Sequence, residues 1–174
     1  MCGIVGLFIK DKALEPRLGE LTAGMLATMC ERGPDSAGFA VYGAPESGKG
    51  KITLQSPTPD KDFKGLAKAI ESTVGGKVTL DVKSTHAVLT CDEGKVEAAR
   101  AAIREQFPNV RLMGRGDAIE IYKEVGYPTE VAKQFDLAKM TGTHAIGHTR
   151  MATESAVTTL GAHPFSTGPD QCLV

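Results

Sequence analysis

The sequence predicts an α+β fold, in which strands and helices are mixed along one chain. Short apolar runs rich in Ile, Val and Phe recur along the chain and are typical of buried strands. Between these runs, apolar residues spaced three and four positions apart are typical of one face of a helix. The chain has 174 residues, which is long enough for one domain with a hydrophobic core and a small inserted unit.

The outer parts of the chain predict strands around two helices. "CGIVGLFI" predicts a strand over 2–9, and "SAGFAVYG" predicts a second strand. Apolar spacing predicts a helix over about 15–31, ended by Gly33-Pro34, and a further helix over about 128–139. "THAIGHTRMAT" then predicts a strand that ends in a loop. The final "QCLV" is apolar and strand-like, and an unpaired strand is a poor end for a domain, so we expect the domain to be truncated at its C-terminus.

The middle of the chain predicts a smaller α+β unit over 57–127. Its pattern indicates a helix, two strands, a second helix and two further strands, and Asp92 is the expected cap of the second helix. "KITLQS", just before it, also predicts a strand. We therefore expect one incomplete domain over 1–174 that is interrupted by an inserted subdomain over 57–127.

Composition and charge are those of an ordinary globular protein. Hydrophobic residues make up 41% and charged residues 24%, and the net charge of −1 gives no electrostatic reason to expect nucleic acid or membrane as a partner. No apolar run approaches the roughly 20 residues of a membrane-spanning helix. Residues 2–9 lack the basic leader and cleavage site of a secretory signal. We expect a cytoplasmic protein.

The four cysteines are widely spaced and form no Cys-x-x-Cys pair, which favours free thiols over a metal site. Cys30 and Cys91 lie among apolar residues and are expected in the core. Cys2 becomes the N-terminal residue if Met1 is removed. Its free α-amine, with a pKa of about 7.7–8.0, could then accept the thiol proton, so that one residue holds both nucleophile and base. The alternative is a structural cysteine in the first strand.

Two further strings are weak signals when each is taken alone. "ERGPDSAG" contains a turn signature and is explained equally well as a connection between a helix and a strand. "GHTRMAT" places Arg150 at the end of a predicted strand, where its guanidinium could hold a carboxylate through two parallel hydrogen bonds. The alternative is an ordinary surface arginine.

Taken in order, "MCGIVG", "RGPDS", "GHTRMAT" and "AHPF" resemble the class II glutamine amidotransferases, which are N-terminal nucleophile hydrolases. The resemblance covers residues 1–42 and 143–174 and leaves out the middle of the chain. It implies a four-layer αββα sandwich. It also implies hydrolysis of L-glutamine to L-glutamate through a cysteine thioester, with the ammonia delivered to a synthase partner. No metal or organic cofactor is implied for this half-reaction.

The same resemblance implies roles for individual residues. Cys2 occupies the position of the nucleophile, and Arg150 that of the arginine that grips the substrate α-carboxylate. Thr153 matches a threonine that lines the glutamine pocket. Arg32 and His163 match positions that support the pocket.

This chain also departs from the family pattern. Met151 stands where the family often has an aromatic residue, and Glu154 where several relatives have histidine. The family's Asn-Gly step, which forms the oxyanion hole, and a later acidic residue follow the His-Pro-Phe segment and are absent from these residues. Because the loss of even one oxyanion donor costs roughly 10²–10³ in rate, we expect residues 1–174 alone to be inactive.

Arg32 and Arg150 are separated by more residues than in the familiar relatives, and the excess corresponds roughly to the unit at 57–127. In this architecture the chain looks similar to the stand-alone amidotransferase subunits of glutamate-synthase-like complexes, including N-methylglutamate synthase. In those systems the synthase chemistry lies on other subunits. Two rival interpretations stay open. The first is a catalytically inactive amidotransferase-like subunit with a structural or regulatory role. The second is a zinc site at His144 and His148, which a strand would hold about 13 Å apart, too far to share one metal.

Overall fold

A computed structural model of the chain, which describes residues 1–153 and 156–174, confirms the mixed α+β architecture. The helices of the described residues are α1 (Leu18–Thr28), α2 (Pro59–Asp62), α3 (Leu66–Val74), α4 (Val96–Gln106) and α5 (Pro128–Gln134). The strands are β1 (Gly3–Phe8), β2 (Ser36–Tyr42), β3 (Lys49–Gln55), β4 (Thr79–Lys83), β5 (His86–Asp92), β6 (Arg111–Gly116), β7 (Ile119–Val125), β8 (His144–Arg150), β9 (Phe165–Gly168) and β10 (Gln171–Leu173).

The first sheet has the strand order β1-β8-β2-β7, and each neighbouring pair is antiparallel. Alternate side chains face α1 and α5, where Val5 and Phe39 pack with Leu26 and Phe135 in one apolar core. We call the opposite surface of this sheet the open face. Apolar side chains there include Ile4, 55% exposed, and Phe8, 66% exposed.

The second sheet has the order β4-β5-β3-β6 and is also antiparallel throughout. Its elements follow in the order strand, helix, strand, strand, helix, strand, with α3 and α4 packed against the same face. This is the split βαβ arrangement of ferredoxin-like units. Ile52 and Leu54 of the sheet share a core with Ile70 and Ile103 of the two helices.

Strand pairing differs from the bounds predicted for the insert. β3 precedes residue 57 but pairs with β5 and β6, whereas β7 belongs to the first sheet. The second sheet and its helices therefore cover 49–116, and we propose these bounds for the insert in place of 57–127. Its identity as a subdomain stays a prediction.

The insert occupies the turn of a hairpin. β2 and β7 are antiparallel neighbours whose last pair is Tyr42 with Ile119, and Gly43 N–H donates to the Ala118 carbonyl at 3.1 Å. The chain leaves the first sheet after Gly43 and returns beside the same point at Ala118. The intervening segment builds the second sheet.

The second sheet packs on the first through aromatic and charged side chains. The buried His86 ring lies 4.9 Å from Phe135 and 5.8 Å from Tyr122, measured between ring centroids. Lys51 of β3 forms a 2.8 Å ion pair with Glu120 of β7. The insert thus shares a buried boundary with the domain that carries it.

Most local predictions agree with these elements. The strands predicted in residues 2–9, 36–43, 51–56 and 144–150 are confirmed, and Cys30 and Cys91 are buried free thiols. The predicted helix 15–31 is three pieces, because α1 is flanked by 3₁₀ turns at Lys12–Arg17 and Cys30–Arg32.

Two local predictions were wrong. Asp92 makes no capping hydrogen bond, because its carboxylate accepts from Lys49 Nζ at 2.7 Å. The sequence also predicts a break at Gly114-Arg115-Gly116, between the strand-like runs "VRLM" and "AIEIYKEV", whereas these residues lie inside β6. The apolar "QCLV" forms a strand, as predicted, and it is paired, since β10 forms a hairpin with β9. Among the described residues, none of the helices has both the length and the apolar character needed to cross a membrane.

Candidate active site

Cys2 lies at the exposed start of the chain, immediately before β1. Its thiol Sγ is 3.9 Å from the Met151 carbonyl oxygen. Met1, 78% exposed, donates from its terminal amine to Met151 Sδ at 2.9 Å. Met1 and Cys2 are thus both exposed, and both contact Met151.

Arg150 reaches the same end of the first sheet from the opposite direction. Gly3 pairs with Thr149 across β1 and β8, so Cys2 and Arg150 each lie one residue beyond that pair. The Arg150 guanidinium donates to the Ala156 carbonyl at 3.5 Å. Arg150 is half-buried. The pairing thus brings the predicted nucleophile and the predicted carboxylate ligand to one place.

Thr153 lies three residues beyond the end of β8 and is exposed. Its side chain makes no hydrogen bond with the described residues. Glu154, singled out in the sequence, lies outside the described residues. The role of Thr153 as a pocket residue stays a prediction.

The "RGPDS" segment supports the loop after β8. The Asp35 carboxylate accepts from Ala152 N–H at 2.7 Å, and Asp35 N–H donates to the Arg150 carbonyl at 3.1 Å. Gly33 packs so tightly that a Cβ there would overlap the backbone of Thr149 and Arg150. Asp35 and Gly33 therefore fix the backbone on both sides of Arg150. This role was not predicted from the sequence, although both residues belong to "RGPDS".

Arg32, from the same segment, is exposed in a short 3₁₀ turn. Its guanidinium forms no ion pair or hydrogen bond with the described residues. The structure places Arg32 near the segment that supports Arg150 but gives its side chain no hydrogen bond or ion pair with the described residues there, and its pocket-supporting role stays a prediction.

His163 stacks on His148 of β8, with ring centroids 4.4 Å apart and 20° between the ring planes. Burial, together with the nearby charges of His163 and Arg150, lowers the pKa of His148 to about 4. Burial is also the main cause that lowers the pKa of His163, followed by the charges of Lys123 and Arg150. Both rings are thus neutral near pH 7 and act as a packed wall beside Arg150.

Gly38 allows the segment around His163 to approach the sheet. Gly38 of β2 pairs with His148 on one side and Lys123 on the other. A Cβ at Gly38 would overlap both the His163 carbonyl oxygen and Lys123 Cβ. Because Gly38 has no side chain, the backbone at His163 can lie on the open face directly over Gly38, between His148 and Lys123.

The zinc alternative depended on His144 and His148. Both lie on β8, as predicted, where an intervening distance of about 13 Å is expected for residues four apart on a strand. His144 stacks instead on Tyr42, with centroids 3.9 Å apart. Within residues 1–153 and 156–174, no group of three potential ligands is arranged to hold a metal.

The arrangement at this end of the sheet suits nucleophilic attack on a substrate that carries a carboxylate. A thiol lies at an exposed position, a guanidinium lies across the strand pair, and a fixed loop backbone joins them. A thiol needs a nearby base to become an effective nucleophile, and an α-amine on Cys2 would be that base.

Comparison with known proteins gives two relatives. The chain is 57% identical over 174 residues to a protein of Rhizobium meliloti named glutamine amidotransferase-like protein GlxB, covering 100% of this chain and 58% of the relative. It is 32% identical over 177 aligned residues to a protein of Methanothermobacter thermautotrophicus whose name carries glutamine amidotransferase as a provisional assignment, covering 95% of this chain and 56% of that relative. The chain thus spans little more than half the length of these relatives. No family model matches it.

Proposed function

We propose that the chain belongs to the class II glutamine amidotransferases, because both relatives carry glutamine amidotransferase in their names, and that the full-length protein containing it hydrolyses L-glutamine to L-glutamate. The observation that carries the proposal is the meeting of Cys2 with the segment after Arg150 at one end of the first sheet. In this proposal the first sheet and its helices are half of an αββα N-terminal nucleophile fold.

The reaction starts after removal of Met1. The Cys2 α-amine accepts the thiol proton, and the thiolate adds to the carboxamide carbon of glutamine. The protonated amine then gives its proton to the leaving nitrogen of this adduct, the C–N bond breaks, ammonia departs, and a glutamyl thioester is left on Cys2. Water, deprotonated by the same amine, attacks the thioester and releases glutamate and the Cys2 thiol.

Arg150 binds the substrate rather than reacting with it. A guanidinium can hold a carboxylate through two parallel hydrogen bonds, which fixes the distance from the bound α-carboxylate to the reacting carboxamide. Thr153 lines the pocket beside it. Asp35, through Ala152, and the stacked pair His148 and His163 hold the surrounding backbone.

The ammonia passes to a synthase partner, and the chain acts as the amidotransferase component of a glutamate-synthase-like complex in the cytoplasm. This part of the proposal rests on the resemblance of the sequence to stand-alone amidotransferase subunits, whose synthase chemistry lies on other subunits.

The test uses the full-length protein that contains this chain. Intact mass measures whether Met1 is removed, and glutamate release from L-glutamine measures the activity. We expect Cys2→Ala to abolish glutaminase activity and Cys91→Ala, which changes a buried thiol of the second sheet, to leave it unchanged.

A diazoketone analogue of glutamine, mapped by peptide mass spectrometry, tests the nucleophile directly. We expect a single adduct on Cys2. An intact Met1 in the purified native protein, or an adduct on Cys30 or Cys91 instead, would contradict the proposed chemistry and leave the inactive amidotransferase-like subunit as the better assignment.

A further inference from the structure

A second cavity, separate from Cys2, lies where the insert meets the first sheet and the β9 hairpin. Its volume is about 350 Å³, within the range of roughly 300–1,000 Å³ typical of small-molecule sites. Its lining includes Arg100 and Arg104 of α4, Arg115 of β6, Lys123 of β7, and Ser166 and Thr167 of β9.

The charges around this cavity are unbalanced. Four of its side chains are cationic, and the carboxylate that contacts them is that of Glu97, which pairs with Arg100 at 2.6 Å and also with Arg115. Arg104 is exposed and forms no ion pair with any described residue. Among the residues that the structure describes, four positive charges thus face one negative charge, although the chain as a whole has a net charge of −1.

Lys123 is the most unusual of these cations, because it is 3% exposed. Its ammonium group donates to the Ala162 carbonyl at 2.7 Å and to the Leu160 carbonyl at 3.5 Å, and it lies 4.0 Å from the centroid of the Phe165 ring. An ammonium has three N–H donors, and buried charges are normally paired. No carboxylate among the described residues pairs with this one.

Burial lowers the pKa of Lys123 to about 8, so the side chain is still largely protonated at pH 7. A buried, protonated lysine without a counter-ion is costly, and a bound anion would reduce that cost. The guanidinium groups at the rim are well suited to phosphate or carboxylate oxygens, because their planar donors can bind such groups in pairs.

We propose that this cavity binds a small polyanion that carries two or more phosphate or carboxylate groups. The site is formed jointly by the insert and the first sheet, which distinguishes it from the proposed glutamine pocket. Arg104 and Arg115 bind the outer anionic group, and Lys123 binds the inner one with the hydroxyl groups of Ser166 and Thr167.

The anion site and the proposed glutamine site are neighbours. The Phe165 ring contacts Lys123 on one side and lies 4.6 Å from the His163 ring on the other, measured between ring centroids. His163 in turn stacks on His148. Phe165, which lines the cavity, is therefore linked by two successive ring contacts to β8, the strand that presents Arg150.

Calorimetric titration of the full-length protein tests the proposal. The probes are pyrophosphate and citrate, each measured at constant ionic strength against potassium chloride as the blank. We expect saturable one-site binding of at least one probe, weakened about tenfold by Arg104→Gln. The matched control is Arg111→Gln, which changes an exposed arginine of β6 outside the cavity and should leave the affinity unchanged.

The two probes separate the two chemistries. Binding of pyrophosphate alone assigns the site to phosphate compounds, and binding of citrate alone assigns it to polycarboxylates. Absence of saturable binding for both probes overturns the proposal, as does equal weakening by Arg104→Gln and Arg111→Gln. Because Cys2 takes no part, a failure here would leave the proposed glutaminase reaction untouched, and the reverse also holds.

Discussion

The Asp35 carboxylate accepts a hydrogen bond from the Ala152 backbone N–H at 2.7 Å, which fastens the loop after β8 to the start of β2. The loop begins at Met151, whose carbonyl oxygen lies beside the Cys2 thiol. Asp35 therefore acts on the proposed site through the backbone rather than by touching substrate.

Asp35→Ala should loosen this loop. We expect the KM for glutamine to rise about tenfold with a smaller change in kcat, and the free energy of unfolding to fall by about 1–2 kcal/mol, because a part-buried N–H loses its acceptor. Steady-state glutaminase kinetics and urea denaturation measure the two effects. Asp11→Ala is the control, since Asp11 accepts from Ala13 N–H at 3.0 Å far from this loop. An unchanged KM for Asp35→Ala would contradict the positioning role.

Gly38→Ala should disturb the backbone at His163. The new Cβ would overlap the His163 carbonyl oxygen, and such overlaps typically cost about 1–3 kcal/mol. Gly6→Ala is the matched control, because a Cβ at Gly6 of β1 would point into open space. We expect a change within about 0.5 kcal/mol for Gly6→Ala in thermal or urea unfolding. Equal costs for the two variants would show that the close approach at Gly38 is unimportant.

The stacked histidines should make the protein less stable in mild acid. The pKa of His148 falls to about 4 in the folded state from its ordinary value of 6.5, so between these values the unfolded chain binds more protons. The stability that depends on a neutral His148 is fully present above pH 6.5, and it is lost as the pH falls towards 4. His148→Phe keeps an aromatic ring and removes the titrating group. Between pH 6.5 and 4, the free energy of unfolding of this variant should therefore fall by on the order of 2 kcal/mol less than that of the wild type.

Urea unfolding at several pH values between 7 and 4 measures this difference. His144→Phe is a control for the substitution itself, because His144 is more exposed and should change the slope less. Parallel pH profiles for the wild type and His148→Phe would rule out a neutral buried imidazole in the folded state.

The ion pair of Lys51 and Glu120 should stabilise the boundary between the insert and the first sheet. Burial raises the pKa of Glu120, but the hydrogen bond and charge of Lys51 outweigh it and the pKa is lowered. We expect Glu120→Gln to cost about 2 kcal/mol, because Lys51 is left part-buried without its partner. Glu20→Gln, which breaks an exposed pair with Arg17, should cost much less stability in the same unfolding assay. Similar losses of stability in Glu120→Gln and Glu20→Gln would mean that the Lys51–Glu120 pair is as well solvated as a pair on the surface.

Local pattern predicted most of the elements but few of their pairings. The strands β1, β2 and β8 follow from apolar runs, because a buried strand needs apolar side chains along its own length. The membership of β3 in the second sheet depends on partners far along the chain, which no local pattern records. Asp92 failed as a cap for the same reason, since a distant lysine competes for its carboxylate.

The site was predictable to a similar extent. Cys2 and Arg150 come from short strings whose residue types match a known chemistry. Lys123 lies on the same face of β7 as Ile119 and Ile121. The sequence therefore places a charge on an otherwise apolar face without showing what covers it. The covering segment lies about forty positions away, at Leu160 to Phe165, and its approach depends on a missing side chain at Gly38.

The position of the insert at a hairpin turn also bears on how such a protein can arise. Since Tyr42 and Ile119 are already paired where the second sheet begins and ends, a two-residue turn could join β2 to β7 directly. Gain or loss of the ferredoxin-like unit is then a single local event in the gene, and no other strand needs a new neighbour. A descendant that lacks it would keep the order β1-β8-β2-β7 and the Cys2 end of the sheet, while losing the arginines that line the cationic cavity.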